Sequence, residues 1–248
     1  FLKKLRNLLA NLQVVVVFRL LPELVWNMQE LGTFNLHASL LPQYRGAAPI
    51  NHAIINGEKR TGLTTFYLDK EIDTGHIIEQ VEIKIVETDN FETLHDRMME
   101  AGASLVIETI EKIRKGEIKT VDQSDLLDNK ESLLAAPKIF KEFCQINWNS
   151  RSKKVYDFIR GLSPYPVAYS FMENSEHVKL LAKIYRSNYE IADHTFKSGH
   201  VISDGKSQMK VATNDGYVHI LELQIPGKKR LSIEEFLRGY HKDIVKFS

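Results

Sequence analysis

Polar residues interrupt an apolar run at residues 33–38 with the period of a β-strand. Asn35 and His37 occupy alternate positions of that run, and a strand points alternate side chains to the same face. Pro42 and Arg45-Gly46 follow closely, a pattern that ends a strand in a surface loop. Since open α/β sheets place chemistry at the carboxyl ends of their strands, we expect Asn35 and His37 to share a functional cleft.

The hydrophobic pattern of the first half predicts helices that alternate with strands. Leucines at helical spacing predict the first helix, and a β-branched run predicts a strand of a parallel sheet covered on both faces. In order, the predicted elements are a helix at 1–12, a strand at 14–18, a helix at 22–28, a strand at 33–38, a helix at 47–56, antiparallel strands at 61–68 and 77–85 that close the sheet edge, and a long helix up to Arg114. The long helix should begin at an Asp89-Asn90 cap and bury one stripe, formed by Leu94, Met98, Ala101, Leu105 and Ile110.

Short strands separated by turn signals dominate the second half. A helix at 151–162 with Ser150 as its cap comes first, and strands are predicted at 167–172, 178–185, 199–202, 209–212 and 217–223. Asp204-Gly205 and Asp215-Gly216 are typical of hairpin turns. Five short strands predict a small barrel. We therefore divide the chain into a first domain at 1–116, a polar linker at 117–136 and a second domain at 137–248.

Composition narrows the class of protein, and charge separates the two halves. Charged residues make up 26% of the chain, and its longest apolar runs are far shorter than the roughly 20 residues of a membrane span. The single cysteine, Cys144, excludes an internal disulfide and fits a reducing compartment. Residues 1–135 carry 15 Lys and Arg against 20 Asp and Glu, and residues 136–248 carry 18 against 12, so their net charges are −5 and +6. The positive half favours a polyanionic partner, although chance placement of solvated charges would produce the same numbers.

Several motifs together resemble those of the folate-dependent formyltransferase family. They are Asn35-x-His37-x-Ser39-Leu40-Leu41-Pro42, Arg45-Gly46-Ala47-Ala48-Pro49-Ile50, Asp73-Thr74-Gly75, Arg160-Gly161-Leu162-Ser163-Pro164-Tyr165-Pro166 and Pro226-Gly227-Lys228-Lys229. The resemblance extends over nearly the whole chain. It implies a Rossmann-like α/β catalytic domain, whose first part would precede Phe1, followed by a small OB-like β-barrel domain.

The resemblance also implies the reaction and its participants. A formyl group would pass from 10-formyltetrahydrofolate to the α-amino group of methionyl initiator tRNA, for translation initiation in the cytoplasm of a bacterium. The protein would act as a monomer, away from membranes and without a metal, and the sequence contains neither a Cys-x-x-Cys nor a His-Glu-x-x-His pattern. The family assigns catalysis to three positions that match here, Asn35, His37 and Asp73.

The chemistry of these three side chains agrees with that assignment. A histidine exchanges protons near neutral pH, and an asparagine offers a neutral donor to a carbonyl oxygen. An aspartate can orient the histidine or accept the proton of the amine. Each residue taken alone also has a purely structural interpretation: packing for His37, a turn for Asp73 and a strand end for Asn35.

For the two substrates, the resemblance indicates two sets of contacts. Folate would contact Phe18, Arg19, Leu20, Leu21, Ser39, Leu40, Leu41, Pro42 and Ile72. The tRNA would be bound by Arg45, Lys138, Lys141, Lys228 and Lys229, since Lys and Arg contacts to phosphate supply affinity without reading sequence. Hydrophobic packing for the first set and solvated surface charge for the second are the competing interpretations.

Two other functions stay open on the sequence. A formyltransferase that acts on an amino sugar nucleotide or a similar small amine would share the first motifs but would not need a basic second half. A non-catalytic relative that binds RNA would keep the tRNA contacts and show no turnover.

Overall fold

The computed structural model describes residues 1–16, 21–127, 132–240 and 243–248. They group into two compact units. The first unit consists of Phe1–Ile50, Lys59–Val86 and Leu94–Lys138, and the second of Asn51–Glu58, Glu87–Thr93 and Ile139–Ser248. The predicted succession of an α/β region and a β-barrel region is confirmed, whereas the domain boundaries stay a prediction.

The elements up to residue 138 follow the order that the hydrophobic pattern predicts, with three short additional elements at 45–46, 123–126 and 135–136. They are α1 (Leu2–Arg6), β1 (Gln13–Val15), α2 (Glu23–Trp26), β2 (Thr33–His37), β3 (Arg45–Gly46), α3 (Pro49–Ile55), β4 (Arg60–Tyr67), β5 (Ile77–Lys84), α4 (Phe91–Lys115), a 3₁₀ turn (Gln123–Leu126) and β6 (Ala135–Ala136). One sheet has the order β1-β2-β4-β5. In it β1 runs parallel to β2, whereas β4 and β5 are antiparallel to their neighbours and close one edge, as expected.

The first helix is shorter than the leucine spacing predicts. α1 ends at Arg6, and Leu8 and Leu9 lie exposed beyond it. Leu9 has a φ of 50°, a left-handed conformation that no right-handed helix continues through. Of the strand predicted at 14–18, β1 covers Gln13–Val15, and residues 17–18 lie outside the described residues.

The long helix α4 buries a stripe close to the predicted one. Leu94, Met98 and Leu105 are buried as expected, but the other buried positions are Gly102, Thr109 and Ile113, in place of Ala101 and Ile110. A Cβ on Gly102 would come within 2.9 Å of a methyl carbon of Leu36, so the glycine allows the helix to approach β2 closely. The hydroxyl of Thr109 lies 3.0 Å from that of Thr65, which satisfies both groups inside the core.

The polar stretch predicted as a linker contains paired backbone segments and a turn. Val121 forms an antiparallel bridge with Ile77, the 3₁₀ turn follows, and β6 pairs in parallel with β3. Through these contacts residues 117–127 and 132–136 belong to the first unit. The composition was polar because the backbone pairs and the turn, rather than buried apolar side chains, hold these residues.

Beyond residue 138, most of the chain forms antiparallel strands. The elements are a 3₁₀ turn (Lys141–Cys144), α5 (Ser152–Gly161), β7 (Ala168–Asn174), β8 (Lys179–Ile191), β9 (Val201–Ser203), β10 (Met209–Ala212), β11 (Gly216–Gln224), β12 (Leu231–Ser232), α6 (Ile233–Gly239) and β13 (Ile244–Phe247). The sheet order is β13-β7-β8-β11-β10-β9, with β12 paired to β11. A bridge between His200 and Lys246 joins the two ends of this order, so the sheet closes into the predicted small barrel.

The barrel surrounds one continuous core, which includes Trp148, Ile184, Val218 and Phe247. The indole Nε1 of Trp148 donates to the hydroxyl of Ser170 at 2.9 Å, so its polar atom is satisfied inside the core. The five predicted strands are all present, and β12, α6 and β13 are additional elements that the turn signals did not reveal.

The start of α5 corrects the predicted cap. Its N-cap is Arg151, not Ser150, and no side chain of the N-cap bonds to the helix. The backbone N–H of Ser152 instead donates to the carboxylate of Asp215 at 2.7 Å. Asp215, which is distant in sequence, therefore satisfies a backbone N–H at the helix start that a local N-cap side chain was expected to bond.

Cys144 lies in the barrel core, where burial raises the pKa of its thiol. This agrees with a packing role rather than a nucleophilic one. Within the described ranges, none of the helices combines the length and apolarity that a membrane span requires.

Candidate active site

β2 carries two polar side chains into the interior of the first unit. Asn35 and His37 are only 5% and 6% exposed, and they pair with Phe66 and Thr64 of β4. The edge of the His37 ring meets the Phe66 ring, with centroids 6.5 Å apart. The strand therefore holds an amide and an imidazole two positions apart on one face, as the alternation predicted.

The imidazole of His37 lies between a backbone carbonyl and the carboxylate of Asp73. Its Nε2 is 2.9 Å from the carbonyl oxygen of Tyr44, and its Nδ1 is 3.8 Å from Oδ2 of Asp73. Because a carbonyl oxygen only accepts hydrogen bonds, Nε2 carries a proton here, and Nδ1 of the neutral ring is an acceptor. His37 can therefore take up a proton on Nδ1, where the Asp73 carboxylate would stabilise the resulting positive charge.

Backbone conformations that are rare for non-glycine residues support this pair. Asp73 and Tyr44 have φ angles of 56° and 60°, a left-handed conformation that costs an L-residue roughly 1–2 kcal/mol. The N–H of Gly46 donates to Oδ2 of Asp73 at 2.9 Å, and a Cβ on Gly46 would come within 2.4 Å of the carbonyl oxygen of Ala136. The pairing of β3 with β6 therefore helps to place the Asp73 carboxylate.

The amide of Asn35 leaves one polar atom without a protein partner. Its Oδ1 is buried and has no hydrogen-bond partner among the residues that the structure describes. An unpaired buried acceptor costs on the order of 1–3 kcal/mol, so it needs an explanation such as a catalytic or binding role. A substrate that brings an N–H group to this oxygen would satisfy it.

The protein itself holds the loop at residues 39–42. The hydroxyl of Ser39 donates to a backbone carbonyl oxygen of the following turn at 2.6 Å. The hydroxyl of Thr64 donates to the Ser39 carbonyl at 2.7 Å and accepts from the N–H of Leu41 at 3.2 Å. Ser39, Leu41 and Pro42 are buried and Leu40 is half-buried. Their contacts with folate stay a prediction, and the Ser39 hydroxyl is already bonded within the protein.

Arg45, predicted to contact tRNA, is bonded within the first unit. Its Nε and one terminal nitrogen donate to Oε1 of Gln123 at 3.0 and 2.5 Å. Nε2 of Gln123 in turn donates to the backbone carbonyl oxygens of Asp73 and Gly75, at 2.9 and 2.8 Å. One buried glutamine thus joins the segment that carries Arg45 to the loop that carries Asp73.

The remaining predicted residues differ in exposure, and not all of them lie within the described residues. Leu21 is half-buried and Ile72 is 63% exposed, while Phe18, Arg19 and Leu20 lie outside the described residues. The predicted tRNA-binding lysines all have exposed side chains; Lys138 belongs to the first unit, and Lys141, Lys228 and Lys229 belong to the second.

Three residues of the site were not predicted from the sequence: Tyr44, Thr64 and Gln123. The only local signal is next to Gln123, where Asp122 caps the 3₁₀ turn. The pKa of Asp122 is lowered mainly by a hydrogen bond from the Ser124 hydroxyl and to a smaller extent by one from the Ser124 N–H. The carboxylate therefore stays charged, which suits its capping role. The contacts of Tyr44 and Thr64 depend on which strands pair, and no local pattern marks them.

Two family models match most of the chain. The model described as formyl transferase matches residues 1–110, and that of the formyl transferase C-terminal domain matches residues 138–241. These matches agree with an α/β region followed by a barrel.

Relatives and solved structures give the same result. The methionyl-tRNA formyltransferase of Bacteroides fragilis is 55% identical over 97% of this chain and 74% of its own length. That of Parabacteroides distasonis is 50% identical over all of this chain and 76% of its own length. The crystal structure of HypX from Aquifex aeolicus with tetrahydrofolic acid has the same fold, with a TM-score of 0.66 and 20% identity over the whole chain and 44% of HypX. The chain belongs to the formyltransferase family.

Proposed function

We propose that this protein transfers a formyl group from 10-formyltetrahydrofolate to the α-amino group of methionyl initiator tRNA. The observation that carries the proposal is the buried site in which the imidazole of His37 faces the Asp73 carboxylate. Two positions earlier on β2, Asn35 contributes an oxygen that has no partner among the described residues. The relatives that share half or more of the sequence bear the name of this activity. A bacterial enzyme of this kind supports translation initiation.

The side chains of the site meet the chemical needs of formyl transfer. The attacking amine must lose a proton, and the negative charge that develops on the formyl oxygen must be stabilised. The unprotonated Nδ1 of His37 can accept a proton from the amine, directly or through water, and Asp73 stabilises the charged ring. The Asn35 amide can bond the amine through its oxygen or the formyl oxygen through its nitrogen. The formyl carbon forms its bond to the amine nitrogen as its bond to the folate nitrogen breaks, and the proton removed from the amine can pass to that leaving nitrogen, so that tetrahydrofolate is released.

The tRNA would be held by lysine side chains that contact its phosphates. The exposed lysines of the second unit, Lys141, Lys228 and Lys229, are suited to this role because phosphate contacts supply affinity and salt dependence. Gly227, with a φ of 75°, allows the turn that presents Lys228 and Lys229. We place the reaction in the bacterial cytoplasm and take the working unit to be a monomer, which analytical ultracentrifugation would check.

The decisive experiment is formylation of methionyl initiator tRNA by the intact enzyme, measured beside a panel of small amines and across a salt series. We expect turnover on the charged tRNA that falls as salt rises. Turnover only on small amines would assign the protein to a different acceptor. Binding of the tRNA without turnover would indicate a non-catalytic relative.

The catalytic roles of His37 and Asp73 are tested by one substitution of each, with matched control substitutions at an exposed His–Asp pair. His37→Ala and Asp73→Asn should each lower kcat by roughly 100-fold or more, because each removes a group used in proton transfer. The affinity for tRNA should stay within about threefold of wild type, as phosphate contacts supply it. The exposed pair His95 and Asp96, with Nδ1 and Oδ1 3.2 Å apart, supplies the controls His95→Ala and Asp96→Asn, which should keep full activity. Wild-type kcat in either site variant would refute the assignment.

A further inference from the structure

Gln123 is a buried polar side chain near the site whose amide is fully hydrogen-bonded. It is 2% exposed, and each of its hydrogen-bonding positions has a partner. Both N–H groups of Nε2 donate to backbone carbonyls, those of Asp73 and Gly75, and Oε1 accepts two N–H groups of Arg45. Carbonyl oxygens only accept and a guanidinium only donates, so the partners determine the orientation of this amide.

The two segments that Gln123 joins are those that position the Asp73 carboxylate. One is the loop that carries Asp73 and Gly75, where Asp73 has the left-handed conformation. The other is β3, where the N–H of Gly46, directly after Arg45, donates to Oδ2 of Asp73. The Asp73 carboxylate lies 3.8 Å from Nδ1 of His37. A substitution that loosens either segment would change this distance.

We propose that Gln123 is a positioning residue for formyl transfer, which holds the Asp73 carboxylate in reach of His37 by clamping the Asp73–Gly75 backbone to the β3 segment. Gln123 touches neither reacting group, and it acts through Asp73. This inference rests on the proposed function only for its kinetic consequence; its structural consequence can be measured without any substrate.

The donor half of the Gln123 amide, Nε2, and its acceptor half, Oε1, can be altered by different substitutions. Gln123→Glu keeps an acceptor for Arg45 but directs carboxylate oxygens, rather than N–H groups, toward the two loop carbonyls. Gln123→Met keeps a similar volume and removes both halves. Since the donor half holds the Asp73 loop, both variants should lose activity, and Gln123→Glu should not be rescued by its contact with Arg45.

The kinetic test uses the intact enzyme, with Ser124→Ala as a matched control in the same turn. Ser124 is exposed, and its hydroxyl donates to the capping Asp122 within the turn. Because displacement of a catalytic group by about 1 Å can cost about 100-fold, Gln123→Met and Gln123→Glu should lower kcat roughly 10- to 100-fold. The KM values for folate and tRNA should change less than about threefold, and Ser124→Ala should retain wild-type kinetics.

A double-mutant cycle separates positioning from general damage. If Gln123 acts through Asp73, then Gln123→Met added to Asp73→Asn should lower kcat less than about threefold further, because the group that it positions is already altered. Equal fold losses in the wild-type and Asp73→Asn backgrounds would overturn the proposal. So would an equal loss in Ser124→Ala.

Amide hydrogen exchange gives the readout that does not depend on activity. The N–H of Gly46 is protected by its bond to Asp73, so Gln123→Met should speed its exchange by about tenfold or more, with little change in β10 of the barrel. Unchanged protection of Gly46 would overturn the inference even if the wild-type enzyme formylates tRNA. If Gln123→Met speeds the exchange of Gly46 but the wild-type enzyme shows no formylation, the proposed role of Gln123 in holding the loop stands and only the proposed function is refuted.

Discussion

The substitution Gly75→Ala isolates the position of the Asp73 loop from the chemistry of its side chains. Gly75 lies two residues after Asp73, and its carbonyl oxygen is one of the two that accept from Gln123. A Cβ on Gly75 would come within 1.7 Å of the carbonyl oxygen of Tyr67, whereas Cβ atoms in proteins essentially never lie within 3.0 Å of a non-bonded atom. The loop, rather than β4, must therefore move, since Tyr67 belongs to a strand paired on both sides.

The size of that movement sets the expected loss of activity. Restoring the contact from 1.7 to 3.0 Å requires a displacement of about 1.3 Å. A misplacement of about 1 Å costs on the order of 100-fold in rate, which corresponds to about 2.7 kcal/mol of transition-state stabilisation. We therefore expect Gly75→Ala to lower kcat by about 100-fold while the affinity for tRNA is nearly unchanged.

The assay is steady-state formylation of charged initiator tRNA, with circular dichroism to establish that the variant is folded. Gly239→Ala is the control, because Gly239 lies at the end of α6 and no described residue comes within 4 Å of a Cβ at this position, and it should match wild type. A folded Gly75→Ala enzyme with more than about one third of the wild-type kcat would refute the reasoning that loop position limits the rate.

Three further predictions concern binding, the core and pH. Lys229→Gln should weaken tRNA binding and reduce the slope of log affinity against log salt by about 1; an unchanged slope in a filter-binding series would remove Lys229 from the interface. Ile184→Ala should lower the free energy of unfolding by about 2–5 kcal/mol in urea denaturation, because Ile184 is fully buried. Ile191→Ala on the same strand, at a position 71% exposed, should cost no more than about 0.5 kcal/mol, and equal losses would contradict the assigned core. The backbone N–H of Gln208, with those of the two residues before it, holds the pKa of Asp204 below its ordinary 3.8, so the stability from its charged form is present above that value and lost as pH falls through the depressed pKa. Asp204→Asn should therefore lose less stability than wild type from pH about 4 downward, and parallel curves would refute this contribution.

Local patterns predicted most of the elements because their physical cause is local. The alternation at Asn35 and His37 predicted β2 and the shared face of its two polar residues, and β10 has the predicted bounds. The capping pattern and leucine spacing predicted α4 and most of its buried stripe. These features follow from side-chain periods of 2 and 3.6 residues, which any short stretch of sequence displays.

The same reasoning failed where distant segments decide the structure. Leucine spacing extended α1 too far, because α1 buries none of its residues and short helices depend on such packing for their stability. Ser150 was a plausible cap, but Asp215 from a distant turn bonds the start of α5. The polar stretch around Gln123 carried no hydrophobic period, so nothing in it indicated pairing with β3 and Ile77.

The sequence by itself determined the fold class, the strand that holds Asn35 and His37 and the types of side chain available for catalysis. Only the tertiary structure decided that Asp73 comes within 3.8 Å of His37, and that Gln123 ties the Asp73 loop to Arg45. The physical reason is that these contacts join residues tens of positions apart, and those that hold the loop and the Asp73 carboxylate use backbone carbonyls or N–H groups. Every residue except proline carries such a pair of groups, so they leave no signature in the amino-acid sequence.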